Sequence, residues 1–564
     1  MNKLTKTIIA WGFPLAIVVL VASKVVFFRI DLTQEKRFSI SKNTAELLQK
    51  VEKPIRVEIY LESGADADLA RLKHATHDML EEFDIRSKAR ITYHDNYPSE
   101  AKNEQERNRN YIRLHQRGLI GMTTAERSKD GQITQKTVFP WAEVICDHDT
   151  FPVCLLQPQE MSFEANVNAA IAELEYQLVD AIRFTVQKEV GKVAFLEGHG
   201  ELDEAETYDA SETFSRYFQV DRGILGSDPS ILNDYKAIII AKPMQKFEEK
   251  DKFIIDQYIM QGGKVMWLLD VSEISQDELT HEGITPIMPL DLNLTDMLFR
   301  YGARIEPAAV QDRQCVSIPV NIARPDEAPR YQEVPWTYMP LLLTNPTNSI
   351  TKNVSQVRSE LPAFITMTSD ENGIKMIPLL MTSNASHVDM LPNQINMSEI
   401  MQSDPQAYFN RQNLPVAASL EGSFPSIFTN RMVPAGIDGN PTIQQSSQPT
   451  KMVLIADGDI IRNEIHQDEQ GISILPLGYN RMTGEQYGNR DFVLNALLYL
   501  TDDENWMNLR NRTLRLRMLN KANISTNRTF WQILNVGLPP LLLLIGGALF
   551  LMLRRINQKK LMKN

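Results

Sequence analysis

Cysteine is scarce: three in 564 residues cannot build a disulfide framework. There is no Cys-x-x-Cys, which excludes thioredoxin-type redox chemistry, and the spacing suits no zinc site. A Gly-x-Ser-x-Gly elbow and a Gly-x-x-x-x-Gly-Lys-Ser/Thr phosphate loop are both missing. The chain therefore hydrolyses no nucleotide, and energy for any work must come from a partner. Positive charge is in deficit as well. Lys and Arg number 59 against 71 Asp and Glu, a net charge of −12 that argues against nucleic acid. Long apolar runs are absent from everything between Arg29 and Thr529.

What the interior lacks, the two ends have. Ile8–Phe28 and Phe530–Leu553 are each about the ~20 residues a helix needs to cross a bilayer. Two spans cannot line a pore unaided, so a folded body tethered at both ends is expected. Pro14 is tolerable in such a helix, and Lys24 lies near enough to the far end to snorkel. Val21-Ala22-Ser23 could be a signal-peptide cleavage site, but Val25-Val26-Phe27-Phe28 prolongs the apolar run, and an uncleaved anchor is expected. Gln532, Asn535 and Pro539-Pro540 occupy the first half of the second span; the two polar groups favour a protein neighbour or sit at the interface.

Lys3 and Lys6 precede the first span, and Arg554, Arg555, Lys559, Lys560 and Lys563 follow the second. Short basic tails stay inside. Both tails (1–7 and 554–564) are thus expected in the cytoplasm of a bacterial inner membrane, with the body periplasmic. Arg510, Arg512, Arg515 and Arg517, in the juxtamembrane stretch 506–529, read either as a solvated helix or as a contact for anionic lipid or a partner subunit.

Strand and helix patterns divide the body. Residues 29–160 read as a small α/β domain, thioredoxin-like in outline, with a helix face at Leu69, Leu72, Thr76, Met79, Leu80 and Phe83. Cys146 and Cys154 flank a turn there; a hairpin could bring them together in a disulfide, or leave two free thiols. A connecting helix spans 161–189. Residues 190–505 alternate apolar strands with helices, which indicates a doubly wound parallel sheet. Within them, about 271–450 are rich in Pro, Asn and Ser and are expected to form a long irregular insertion.

Ligands of open α/β sheets collect beyond the carboxyl ends of the strands. Glu197, His199, Glu201, Asp270, Asp457 and Asp459 fall there. One imidazole among carboxylates could bind a small ligand or metal, or work as a general acid–base pair. Glu-Gly-His-Gly-Glu and Asp-Gly-Asp also read as tight turns. Where a class I amidotransferase carries its cysteine, Leu268-Leu269-Asp270-Val271 offers no nucleophile. No catalytic residue, metal or cofactor is expected.

Several segments taken together resemble a known family: Phe195-Leu196-Glu197-Gly198-His199-Gly200-Glu201-Leu202, Ile238-Ile239-Ile240-Ala241-Lys242-Pro243, Asp256-Gln257-Tyr258-Ile259-Met260, Leu174-Glu175-Tyr176, Phe424-Pro425-Ser426-Ile427-Phe428-Thr429-Asn430-Arg431, and Asp457-Gly458-Asp459 with Arg462-Asn463-Glu464. The resemblance is to the GldG family, gliding-motility-associated ABC transporter auxiliary proteins of substrate-binding type, and covers nearly the whole chain. It implies a degenerate amidotransferase-like domain and a complex with an ABC permease and a cytoplasmic ATPase, with multiple copies possible. It implies a role in gliding motility or linked secretion, and supplies no catalytic residues. Against this subunit reading stand a small-ligand or metal-binding receptor using Glu197, His199 and Asp457, and a metal-dependent hydrolase using the same groups.

Overall fold

A computed structural model describes residues 40–561 apart from 65, 128–132, 148, 157–162, 187–189, 322–329, 369–372, 398–404, 440, 469–470, 482, 504–505 and 512–527. The first apolar span and Arg512, Arg515 and Arg517 lie outside the described residues.

Helices of the N-terminal region begin where short polar side chains satisfy free amides. Ser41 accepts from the Thr44 amide (3.0 Å) and starts α1 (Lys42–Lys50). Asp66 accepts from Asp68 and Leu69 (2.8 and 3.1 Å) and starts α2 (Ala67–Arg86). Around these run β1 (Ile55–Ile59), β2 (Ile91–Asp95), α3 (Glu104–Gln116), a separate ladder of β3 (Met122–Arg127) with β4 (Ile133–Val138), then β5 (Trp141–Cys146) and β6 (Asp149–Cys154). The main sheet has the order β2-β1-β5-β6. The long α4 (Phe163–Val186) covers it with Val167, Leu174, Leu178 and Ile182, against Val57, Phe83 and Val144.

Of the two alternatives for Cys146 and Cys154, the hairpin takes the free thiols. Cys146 pairs with Asp149 beside the turn, while Cys154 lies opposite Trp141 at the other end of the ladder. The two cysteines thus lie at opposite ends of the ladder, and both are free.

The next region is built on continuous apolar strands. In order come β7 (Lys192–Glu197), α5 (Tyr208–Ser215), β8 (Gln219–Ile224), β9 (Tyr235–Ala241), α6 (Glu249–Met260) and β10 (Val265–Leu268). The stretch expected to be irregular instead contributes β11 (Cys315–Asn321), β12 (Tyr331–Thr344), β13 (Lys375–Met381) and β14 (Pro415–Gly422). With β15 (Thr450–Ile455) they form one sheet, ordered β11-β12-β13-β14-β15-β10-β9-β7-β8. Strands β15, β10, β9, β7 and β8 are parallel; β11 to β14 run antiparallel to their neighbours. The class is mixed α/β.

Alternation along these strands divides the core in two. Ile238, Ile240, Trp267 and Leu454 pack with α6, while Ile239, Met266 and Val453 pack with α5 and with α7 (Asn489–Thr501). The sheet is therefore apolar on both faces.

Described by itself, α8 (Arg528–Leu561) contains Pro539 and Pro540. Its 25 residues from Arg528 to Met552 are long and apolar enough to cross a membrane.

Candidate functional site

Beyond the carboxyl ends of β7, β9, β10 and β15 the chain turns sharply four times. Gly198 (φ 116°) and Gly200 (φ 74°) flank His199 after β7, and Lys242 follows β9 at φ 54°, a left-handed conformation uncommon for a side-chain-bearing residue. Asp270 lies beyond β10. After β15, Asp457-Gly458-Asp459 leads into a short 3₁₀ turn, Asp459–Ile461. Gly458 is required by close approach, because a Cβ there would meet that of Lys242 at 2.5 Å.

That backbone turn aims the Lys242 ammonium at the centre of the crevice. Its Nζ lies 3.1 Å from Asp270 Oδ2 and also bonds Asp459 Oδ2. The Gly458 amide donates to Asp270 Oδ1 (2.6 Å), and the Asp459 amide to Asp457 Oδ1 (2.7 Å). Fully buried Asp457 also accepts from the Ser359 hydroxyl and from the Glu360 amide (2.9 Å). Oxygens of Asp270, Asp457 and Asp459 all lie within 4.8 Å of one another, a spacing that could suit a divalent cation. In this chain the cation bridging two of them is the lysine's own.

Burial drives the electrostatics. It raises Asp270 and Asp457 above the usual carboxylate range, and for Asp457 the Asp459 and Asp270 charges add to it. Burial, then the Asp459 charge, pushes Glu360 up to about 7. For Lys242 burial acts downward, yet Asp270 and Asp459 outweigh it and the net shift is up.

His199 belongs to a second network. Nδ1 faces Glu201 Oε1 at 3.0 Å, Nε2 faces Asp251 Oδ2 at 3.2 Å, and the ring stacks on Phe247 at 3.8 Å. Burial would lower its pKa, but the two carboxylates carry it up to about 9. This is a clamped imidazolium. Its carbonyl takes the Met244 and Gln245 amides (2.9 and 2.8 Å), fixing the turn to the β9 exit. Glu197 enters a third network, accepting from Arg222 Nε (2.7 Å); Arg222 also donates to Thr207 and to the Leu202 carbonyl.

The six residues singled out in the sequence are thus divided among three networks. A cavity of about 310 Å³ opens at the strand ends, and Glu201, Asp270 and Asp459 line it with Lys242, Glu360 and Arg462. Glu197, His199 and Asp457 are not among its lining residues. Sequence reading missed Lys242, Asp251, Ser359 and Glu360. Lys242 had a signal, a lone cation ending an apolar strand opposite Asp-Gly-Asp. Ser359 and Glu360 had none, since only the fold carries their segment to the strand ends. Arg510 falls in the 3₁₀ turn Trp506–Asn511.

Residues 191–496 match the model of a family described as an ABC-type uncharacterized transport system. Residues 34–145 match a domain of unknown function. An uncharacterized protein of Borreliella burgdorferi is 22% identical over 550 residues, covering 94% of each chain. Among solved structures, the N-terminal domain of mmIFT52 aligns with 56% of this chain and 99% of its own, at 12% identity and a TM-score of 0.32.

Proposed function

The chain belongs to the family of ABC-type uncharacterized transport systems, and from that premise we propose that it is a non-enzymatic subunit of an ABC transporter complex. In this reading it is anchored in the inner membrane at both ends, with tails in the cytoplasm and the body in the periplasm. It docks on the permease, which a cytoplasmic ATPase drives, and its body carries that movement to cargo or to a neighbouring protein. The GldG resemblance extends the proposal to gliding motility and its linked secretion, and to a degenerate amidotransferase-like body. The observation that supports the non-enzymatic part is the Lys242 bridge: at the strand ends the chain places its own ammonium between Asp270 and Asp459. Isolation from native membranes in mild detergent should bring permease and ATPase along. Recovery of the chain without either would sink the proposal.

The 310 Å³ cavity favours a second reading, a receptor for a small ligand. Native mass spectrometry of the isolated body, compared with Glu360→Gln and Arg462→Ala variants, tests it. A ligand retained by the wild type and lost in both variants would favour the receptor over the relay.

A further inference from the structure

The cavity at the strand ends is unevenly charged. Among the described residues, six carboxyl groups line it against two cations, Lys242 and Arg462. Both cations are already engaged. Lys242 bridges Asp270 (3.1 Å) and Asp459, while Arg462 ties Asp459 (3.3 Å) to Glu206 (3.1 Å) and so joins two walls. The His199 imidazolium, which does not line the cavity, answers Glu201 (3.0 Å). An incoming anion would meet an excess of its own sign, and cations each shared between two carboxylates.

The rest of the wall is apolar: Leu202, Met244, Ile274 and Leu361 face the same space. Its volume of about 310 Å³ is the room of about ten water molecules. A bare metal ion would leave most of that space empty and the apolar wall unused. A small organic molecule uses both.

Glu360 marks where a positive charge gains most. It is partly exposed, its amide is fixed on Asp457 (2.9 Å), and its neighbour Leu361 belongs to the apolar wall. Burial, then the Asp459 charge, raises its pKa to about 7 against the pull of Lys242, Arg358 and Arg462. The wall thus holds more negative charge than its own cations balance, and a positive group brought beside Glu360 would relieve it.

We propose that this cavity takes an organic cation, an alkylammonium whose charge lies at Glu360 and whose stem lies along Leu202, Met244, Ile274 and Leu361. This ligand class rests on the small-ligand receptor reading and narrows it.

Three probes with one stem and different charge test it: butylamine, butanol and butanoate. Each is titrated calorimetrically into the full chain in detergent above pH 7, where Glu360 is ionised. Met244 is 39% exposed, so Met244→Trp fills the cavity without disturbing the core and serves as the blank for uptake elsewhere. Butylamine should bind about tenfold more tightly than butanol, the difference that a hydrogen bond to a charged group makes. Butanoate should not bind. Glu360→Gln, which keeps the shape, should bring amine and alcohol to within about twofold of each other. Butanol or butanoate bound as tightly as the amine would overturn the ligand class and leave the receptor standing. An amine preference that survives in Glu360→Gln would overturn the place given to the charge. Uptake of all three no greater than in Met244→Trp would remove the receptor reading and the organic cation together.

Discussion

At the scale of single residues, the strand-end crevice is governed by charge compensation. Lys242 is 16% exposed at its side chain, and the two aspartates it bridges are 9% and 10% exposed. Removing one partner of a buried pair leaves the others uncompensated, at a cost of about 3–5 kcal/mol. Lys242→Met should therefore lower unfolding stability at pH 7 by roughly that amount, and Asp459→Asn in the same chain should restore part of it. Denaturant melts of the folded body check this, and equal stability of Lys242→Met and wild type would mean that the bridge is not formed. Two other groups make stability pH-dependent in separate windows. His199 is held at about 9, above the ordinary 6.5. Its contribution is complete below pH 6.5 and is lost as pH rises through 9. Glu360, raised from 4.5 to about 7, costs the folded state nothing below pH 4.5 and progressively more as it ionises towards pH 7. His199→Gln should thus lose about 3 kcal/mol at pH 6 and much less above pH 9. Glu360→Gln should match wild type near pH 4 and exceed it at pH 7.5. A flat stability profile in wild type would refute both assignments.

At the scale of elements, buried polar hubs tie irregular segments to regular ones. Fully buried Asp256 on α6 accepts from the Tyr301 hydroxyl (2.8 Å), the Ser426 hydroxyl (2.6 Å), the Ile427 amide (3.0 Å) and Gln257 (2.8 Å). The segment around Phe424–Phe428 has no regular structure of its own, so this carboxyl is its anchor. Asp256→Ala should leave four donors short of an acceptor, cost about 3 kcal/mol or more, and raise amide exchange selectively over residues 424–447. Uniform exchange across the body would show that the segment is held by its apolar contacts alone. These elements also separate what the sequence could reveal from what it could not. The strands at 192–197, 235–241 and 265–268 were legible because both faces are buried, which makes their apolar runs continuous. Strands β11 to β13 were not, because prolines sit inside them: Pro319 in β11, Pro335 and Pro340 in β12, and Pro378 beside the register shifts of β13. Proline within a run normally speaks against a central strand. Site residues followed the same division: the four strand ends were legible, whereas Ser359 and Glu360 reach Asp457 across a sequence separation of about a hundred residues, which no local pattern records.

At the scale of the whole molecule, the N-terminal region and the end of the body are one structure. Trp506 is 5% exposed and packs into the cluster formed by α1, α2, α4 and the β1–β5 pair; Met507 is 3% exposed and joins the core on the α5–α7 face of the large sheet. The turn Trp506–Asn511 therefore sits across two apolar cores that are far apart in sequence, and its removal should weaken both. The Met507 amide donates to Asp502 (2.7 Å), so the turn is also anchored at its start. A body ending at Thr513 keeps these contacts, and a body ending at Asp502 exposes both cores. Burial of a large aromatic is worth about 3–5 kcal/mol in substitution series, and the shorter fragment loses Trp506, Met507 and the partly buried Leu509 together. Residues 40–513 should melt in a single cooperative transition, and residues 40–502 should be destabilised by at least that amount, with the loss seen in probes of both cores. Were the shorter body equally stable, the C-terminal turn would contribute nothing to either core. Its loss from both cores at once is what would mark it as the clasp that holds the two cores of the body together.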